Sequence, residues 1–152
     1  MNTIQNIKNR FNAPEMYDVF SLCMYMPSWE KFSSRADEYM ADGNINIFGY
    51  YEDNCVIGII AVGKTSNEEF EVKGIAVKQG HRNRGTGKKL IRYVCGELSI
   101  SILSAETDDD AVGFYKSCGF VCREFNRTGE NGEYKRYSCV YYTKSTLPRF
   151  IL

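Results

Sequence analysis

The run Arg82, Asn83, Arg84, Gly85, Thr86, Gly87 has the residue types for holding a polyanion. Two glycines let the backbone turn tightly and approach a ligand with no Cβ in the way. Backbone N–H groups entering a helix form an anion site, and the helix dipole favours negative charge there. Lys78, Lys88, Lys89 and Arg92 add positive charge around Arg82 and Arg84. The chemistry indicated is pyrophosphate binding. Two better-known phosphate loops fail the comparison. A P-loop needs lysine after its last glycine, and Thr86 follows Gly85. A dinucleotide fingerprint needs a third glycine where Leu90 stands.

Three other groups could move protons or bind ions. Glu68, Glu69 and Glu71 lead into the strand-like run Val72–Val77, and period-two alternation puts Glu69 and Glu71 on one face. A bulge at Gly74 would reverse the faces, so parity alone does not choose the side. His81 lies inside the phosphate turn, where it reads as a solvent or phosphate contact rather than a base. Asp108, Asp109 and Asp110 precede a helix, and an acidic first turn favoured by the helix dipole explains them better than a metal cluster.

The elements that must position these groups follow from periodicity. Residues 3–10 read as a short first strand. Pro14 opens a helix with Met16, Val19, Phe20 and Cys23 on one face, stopped by Pro27. Ser28 caps a second helix carrying Trp29, Phe32, Ala36, Tyr39 and Met40, which Asp42-Gly43 ends. Residues 45–51 and 55–62 form a hairpin, and residues 70–77, after a polar turn at 64–67, a third strand. A helix from Thr86 to Glu97 buries Leu90, Ile91, Val94 and Cys95. Leu98–Ala105 reads as a strand covered on both faces, parallel to the one before the helix. Ala111, Phe114, Tyr115 and Cys118 mark a helix that Gly119 ends. Strands 120–126 and 134–142 follow, joined by a turn at 128–132, and residues 147–152 form an apolar tail.

A chain of 152 residues with 43% hydrophobic and 25% charged residues fits one soluble domain, 1–152. Zero net charge argues against a general nucleic-acid binder. Six cysteines without a C-x-x-C pair, and one histidine, argue against a zinc site and for reduced thiols in a cytoplasmic protein. No apolar run approaches the ~20 residues of a membrane span, and no signal-peptide pattern opens the chain.

The phosphate turn, read as Val77, Gln79, Arg82, Gly85, Gly87, resembles the V-x-P-x-x-R-x-x-G-x-G motif of the GNAT N-acetyltransferases, with Gln79 for the usual proline. Ala111, Phe114, Tyr115, Gly119 and Phe120 resemble that family's second signature, with Asp108 at its asparagine position. Both occur in order with a strand between, and the resemblance covers about residues 45–142.

It implies a mixed α/β fold: a central, mostly antiparallel sheet with a splayed parallel strand pair, flanked by about four helices. It implies acetyl-CoA as co-substrate and no metal. The pantetheine arm would pair with Ile75, Ala76 and Val77, Gly74 would suit a bulge that opens the gap, and the pyrophosphate would lie on residues Arg82, Asn83, Arg84, Gly85, Thr86, Gly87 and Lys88, with Asp108 nearby. Tyr115 matches the family's acid, and would otherwise be a core aromatic. Glu71 is the favoured base. The acceptor expected is a primary amine, small-molecule or peptide, gripped by residues 24–39 and 127–137; a homodimer is compatible with this reading. The alternative is an acyl-CoA-binding or interaction module that keeps the fold without efficient catalysis.

Overall fold

The computed structural model describes residues 1–143. Its elements are β1 (Asn2–Asn6), α1 (Pro14–Phe20), α2 (Trp29–Ala41), β2 (Ile45–Glu52), β3 (Cys55–Ser66), β4 (Glu69–Val77), α3 (Thr86–Glu97), β5 (Ile102–Thr107), α4 (Val112–Ser117), β6 (Val121–Gly129) and β7 (Gly132–Tyr142). The strands form one sheet in the order β1-β2-β3-β4-β5-β7-β6. All neighbours are antiparallel except β4 and β5. This is the mixed architecture expected, including the single parallel pair.

Local signals account for the boundaries. Pro14 takes the first position of α1, where its missing N–H costs nothing. Ser28 caps α2 by accepting from the Lys31 N–H at 3.2 Å. Asp53 and Asn54 both have positive φ, the mirror-image turn whose twist matches the β2–β3 hairpin. The sheet then buries both faces. Met16, Val19 and Phe20 of α1 and Phe32 and Ala36 of α2 pack with Ile47, Ile59 and Ala61. Leu90, Ile91 and Val94 of α3 and Val112 and Tyr115 of α4 pack with Ile60, Phe70 and Leu103 on the other side.

Several expected boundaries shift for identifiable reasons. The first strand stops at Asn6, whose side chain accepts from the Lys8 N–H, and Lys8–Arg10 forms a 3-10 turn. Helix α1 ends at Phe20, well before Pro27, and tightens into a 3-10 turn over Ser21–Cys23. Strand β5 starts at Ile102, because the Leu98 N–H returns to the Val94 carbonyl and Ser99 turns with φ of 51°. It is also not covered on both faces. Leu103, Ala105 and Thr107 are buried while Glu106 is exposed. The turns at 64–67 and 128–132 are shorter than expected, since β3 runs to Ser66 and β6–β7 closes on Gly129 and Gly132. The apolar tail lies outside the described residues.

Exposed Glu106 is held by Arg127 through two hydrogen bonds and by Arg136 at 3.0 Å. Hydrogen bonding from Arg127, then from Arg136, with both positive charges, pulls its carboxyl down to about 2. A depressed carboxyl stabilises the fold above its unfolded pKa and loses that contribution as pH falls through the folded value. The groups are partly exposed, so the gain is small. Glu106→Gln should lower the Tm slightly at pH 7, and the difference from wild type should vanish near pH 2. An undiminished difference there would detach the effect from this carboxylate's charge.

Candidate active site

Strands β4 and β5 pair only at Glu69–Ile102, Phe70–Leu103 and Glu71–Ser104. Beyond Glu71 they part. On the other side of β4, Val62 faces Val72 but Ala61 faces Gly74, so Lys73 is an extra residue in a β-bulge. A bulge bends its strand, which here carries β4 away from β5. It also resolves the parity question. Phe70, Val72 and Ile75 pack on the α3/α4 side, whereas Ala76 packs with α1 and α2. A Cβ on Gly74 would lie 2.5 Å from the Phe20 ring and 3.1 Å from the Cys23 sulfur. Only glycine lets the end of α1 seat on the bulge. Gly74→Ala should therefore destabilise by ~1–3 kcal/mol, as overpacking does, and Phe20→Leu should restore part of it in denaturant titration. An unchanged midpoint for Gly74→Ala would mean the contact is loose.

The bulged strand leaves backbone groups free for a ligand. The Lys78 N–H donates to the Ile57 carbonyl at 2.8 Å. Antiparallel pairs alternate between hydrogen-bonded and non-hydrogen-bonded, so Ala76 also bonds β3 while Ile75 and Val77 turn their polar groups toward the gap. The Cys23 thiol donates to the Phe20 carbonyl at 3.2 Å. Cys23 is an exposed residue whose thiol desolvation pushes up to about 11. The Val77 carbonyl accepts from Arg82 Nε at 2.9 Å.

The loop after β4 supplies the anion site. Gly80, Asn83 and Gly85 have φ of 88°, 63° and 79°, respectively. No side chain caps α3, and the Lys89 N–H is the one that returns to Gly85 at 2.9 Å. The N–H groups of Thr86, Gly87 and Lys88 therefore lie in the helix's open first turn. The two glycines differ in role. Gly85 has open space around it and is needed for its left-handed backbone. Gly87 is buried, and a Cβ there would lie 2.6 Å from the Phe114 ring, so it lets α3 and α4 meet. The basic side chains are less free than the sequence implies. Arg84 Nη2 lies 2.6 Å from His81 Nδ1 and 3.9 Å from Glu52 on β2. His81 itself lies 3.8 Å from Glu52. Arg84 is thus tied toward β2 by a carboxylate that sequence reasoning did not find.

Tyr115 lies in the core on the α3/α4 side, in the cluster against which Ile75 packs. Its ring packs edge-on against Phe114 and Phe120 at 5.2 and 5.1 Å. Among the described residues its hydroxyl has no hydrogen-bond partner, and no sealed side-chain polar atom is left unpaired, so the hydroxyl keeps an opening. Burial raises its pKa first, followed by the thiols of Cys23, Cys139, Cys118 and Cys122. The phenol stays protonated at neutral pH.

Glu71 occupies the last pair before the strands part, with Lys73 Nζ 3.0 Å from its carboxylate. Asp108 is committed locally: its carboxylate accepts from the Asp110 and Ala111 N–H groups at 3.0 and 3.1 Å, ahead of α4. Ile75 and Val77 thus line the gap, with Glu71 at its apex and the loop 82–88 following Val77, and Tyr115 shares a core cluster with Ile75 on the α3/α4 side. Phe20 and Cys23, which the helix pattern marks only as core positions, join them.

A family model described as an acetyltransferase (GNAT) domain matches residues 43–122. The chain belongs to the GNAT acetyltransferase family. That match contains the bulge, the phosphate loop and Tyr115. Over 84 residues the chain is 33% identical to the N-alpha-acetyltransferase RimI of Mycobacterium tuberculosis, spanning 53% of this chain and about half (50%) of that relative. Among solved structures, aminoglycoside 6'-acetyltransferase type Ii superposes with a TM-score of 0.77 at 16% identity, covering 97% of this chain and 99% of the other. A GNAT acetyltransferase of Elizabethkingia anophelis, solved with acetyl-CoA bound, gives 0.67 at 20%, covering 93% and 98%. These two structures establish likeness of fold. No described helix of this GNAT protein is long and apolar enough to cross a membrane.

Proposed function

We propose that this GNAT protein moves the acetyl group of acetyl-CoA to a primary amine by direct attack in a ternary complex. The observation that carries the reading is the three-pair contact of β4 with β5 followed by a bulge-driven gap, which turns the Ile75 and Val77 polar groups outward. The pantetheine arm of acetyl-CoA lies along that edge, and its pyrophosphate on the N–H groups of residues 86–88. The helices α1 and α2, outside the matched segment, belong to the same domain, since α1 supplies Phe20 and leads to Cys23 at the bulge.

The amine must arrive neutral, and a lysine-like amine has a pKa near ~10.4. Glu71 removes its proton through water, with the Lys73 ammonium 3.0 Å from its carboxylate. The amine nitrogen attacks the thioester carbonyl carbon, and the Ile75 N–H stabilises the developing oxyanion. The carbon–sulfur bond breaks, and the departing thiolate takes a proton from Tyr115. The products are an acetylated amine and free CoA.

The acceptor enters beside the α1–α2 connection, where Leu22, Tyr25, Met26 and Trp29 are exposed next to Cys23. The relatives' names include an N-alpha-acetyltransferase and an aminoglycoside 6'-acetyltransferase, so peptide and small-molecule amines both belong in the test. Acetyl-CoA with a panel of N-terminal peptides, lysine, polyamines and aminoglycosides should give an acetylated amine and an equal amount of CoA thiol. Tight acetyl-CoA binding with no transfer to any class would instead make the protein a binding module.

A further inference from the structure

Three thiols belong to the core cluster of Tyr115 at the closing end of the fold: Cys118 after α4, Cys122 on β6 and Cys139 on β7. Two of them are direct cross-strand partners, because the β6–β7 register places Cys122 opposite Cys139. Directly opposed antiparallel residues share a face of the sheet, and their Cα atoms lie about 4.5 or 5.5 Å apart according to the class of pair. Both spacings fall within the ~4.4–6.8 Å that a disulfide spans. Both residues are free cysteines. Their side chains meet on the α4 side: Cys139 is fully buried in the core with Tyr115 and Phe120, and Cys122 packs against that core while staying partly accessible. Register, shared face and unequal exposure make a dithiol with one reachable sulfur and one sheltered sulfur beside it.

We propose that Cys122 and Cys139 are a reversible modification site that a low-molecular-weight disulfide oxidises to a cross-strand disulfide. The Cys122 thiolate attacks one sulfur of the small disulfide, forms a mixed disulfide and releases one small thiolate. The Cys139 thiolate then attacks the Cys122 sulfur and releases the second. The two protein sulfurs lose two electrons, the small disulfide gains them, and the two protons leave with the two small thiols. Burial, and then the neighbouring Cys122 thiol, push the Cys139 thiol up to about 12, so Cys139 is suited to the second, intramolecular step, where proximity compensates for weak ionisation. The bond would staple β6 to β7 under the Phe120 ring that packs on Tyr115.

The test is to treat the folded protein with glutathione disulfide, alkylate the remaining thiols, and map the peptides by mass spectrometry. The expected result is a species two hydrogens lighter, with Cys122 joined to Cys139 and with dithiothreitol restoring both thiols. Cys122→Ser should abolish the link, and Cys23→Ser should leave it intact. Because Cys139→Ser puts a hydroxyl in the core, Cys139→Ala serves as the second variant, and it should accumulate the glutathione adduct at Cys122 that wild type resolves. Cys122 and Cys139 both free and alkylated after treatment, a stable adduct at Cys122 in wild type, or a link to Cys118 instead would each overturn the proposal.

Discussion

Tyr115→Phe should lower the single-turnover rate of acetyl transfer by roughly 10²-fold, the low end for loss of a general acid. The substitution keeps the ring that packs between Phe114 and Phe120 and removes only a hydroxyl without a protein partner among the described residues. Fold and acetyl-CoA affinity should therefore change little. Single-turnover conditions matter, because slow product release would hide a chemical step. A phenylalanine variant with the wild-type rate would mean that the thiolate leaves unassisted or finds its proton elsewhere. Tyr115→Ala gives a second comparison: it removes a buried ring and should cost ~3–5 kcal/mol of stability as an aromatic-to-alanine change in a core does.

Gly85→Val should weaken acetyl-CoA binding ten-fold or more, on the order of 1.4 kcal/mol. Valine is poorly tolerated at the φ of 79° that the loop requires, so the turn must rearrange where it should meet the pyrophosphate. Nothing lies within 4 Å of the added Cβ, so the loss should fall more on the ligand than on the core. Gly87→Val is the contrasting variant. Its Cβ meets Phe114, and it should lower Tm as well as affinity. Calorimetry of acetyl-CoA binding, paired with thermal unfolding, separates the two. An unchanged affinity in folded Gly85→Val would remove the phosphate-loop assignment.

These variants show where sequence was informative. Helix α3 was legible to the residue, since Gly85, Thr86 and the stripe Leu90, Ile91, Val94 are local signals. Ser28 as a cap and Gly74 as a bulge residue were legible for the same reason. The cleft's second wall was not. Cys23 satisfied helical spacing with Met16 and Val19, yet α1 gives way to a 3-10 turn that holds it, and tertiary packing seats its sulfur over Gly74. Glu52 belongs to the loop cluster only because β2 runs beside it in space, which no spacing in the chain records. Gly87 was read as a phosphate glycine because the motif places it there; its neighbour Phe114 comes from the next helix and gives it a packing role. Asp108 matched a motif position, while its carboxylate caps the turn into α4.

The proposed chemistry requires the gap between β4 and β5 to receive the pantetheine arm. Residue-resolved amide hydrogen exchange, with and without acetyl-CoA, measures this directly. The Ile75 and Val77 amides face the gap and should slow markedly on binding, together with those of residues 86–88, while Ala76, already bonded to β3, should change far less. Protection confined to the loop, or an unaltered Ile75 and Val77 at saturating acetyl-CoA, would contradict the placement of the cofactor and the chemistry built on it.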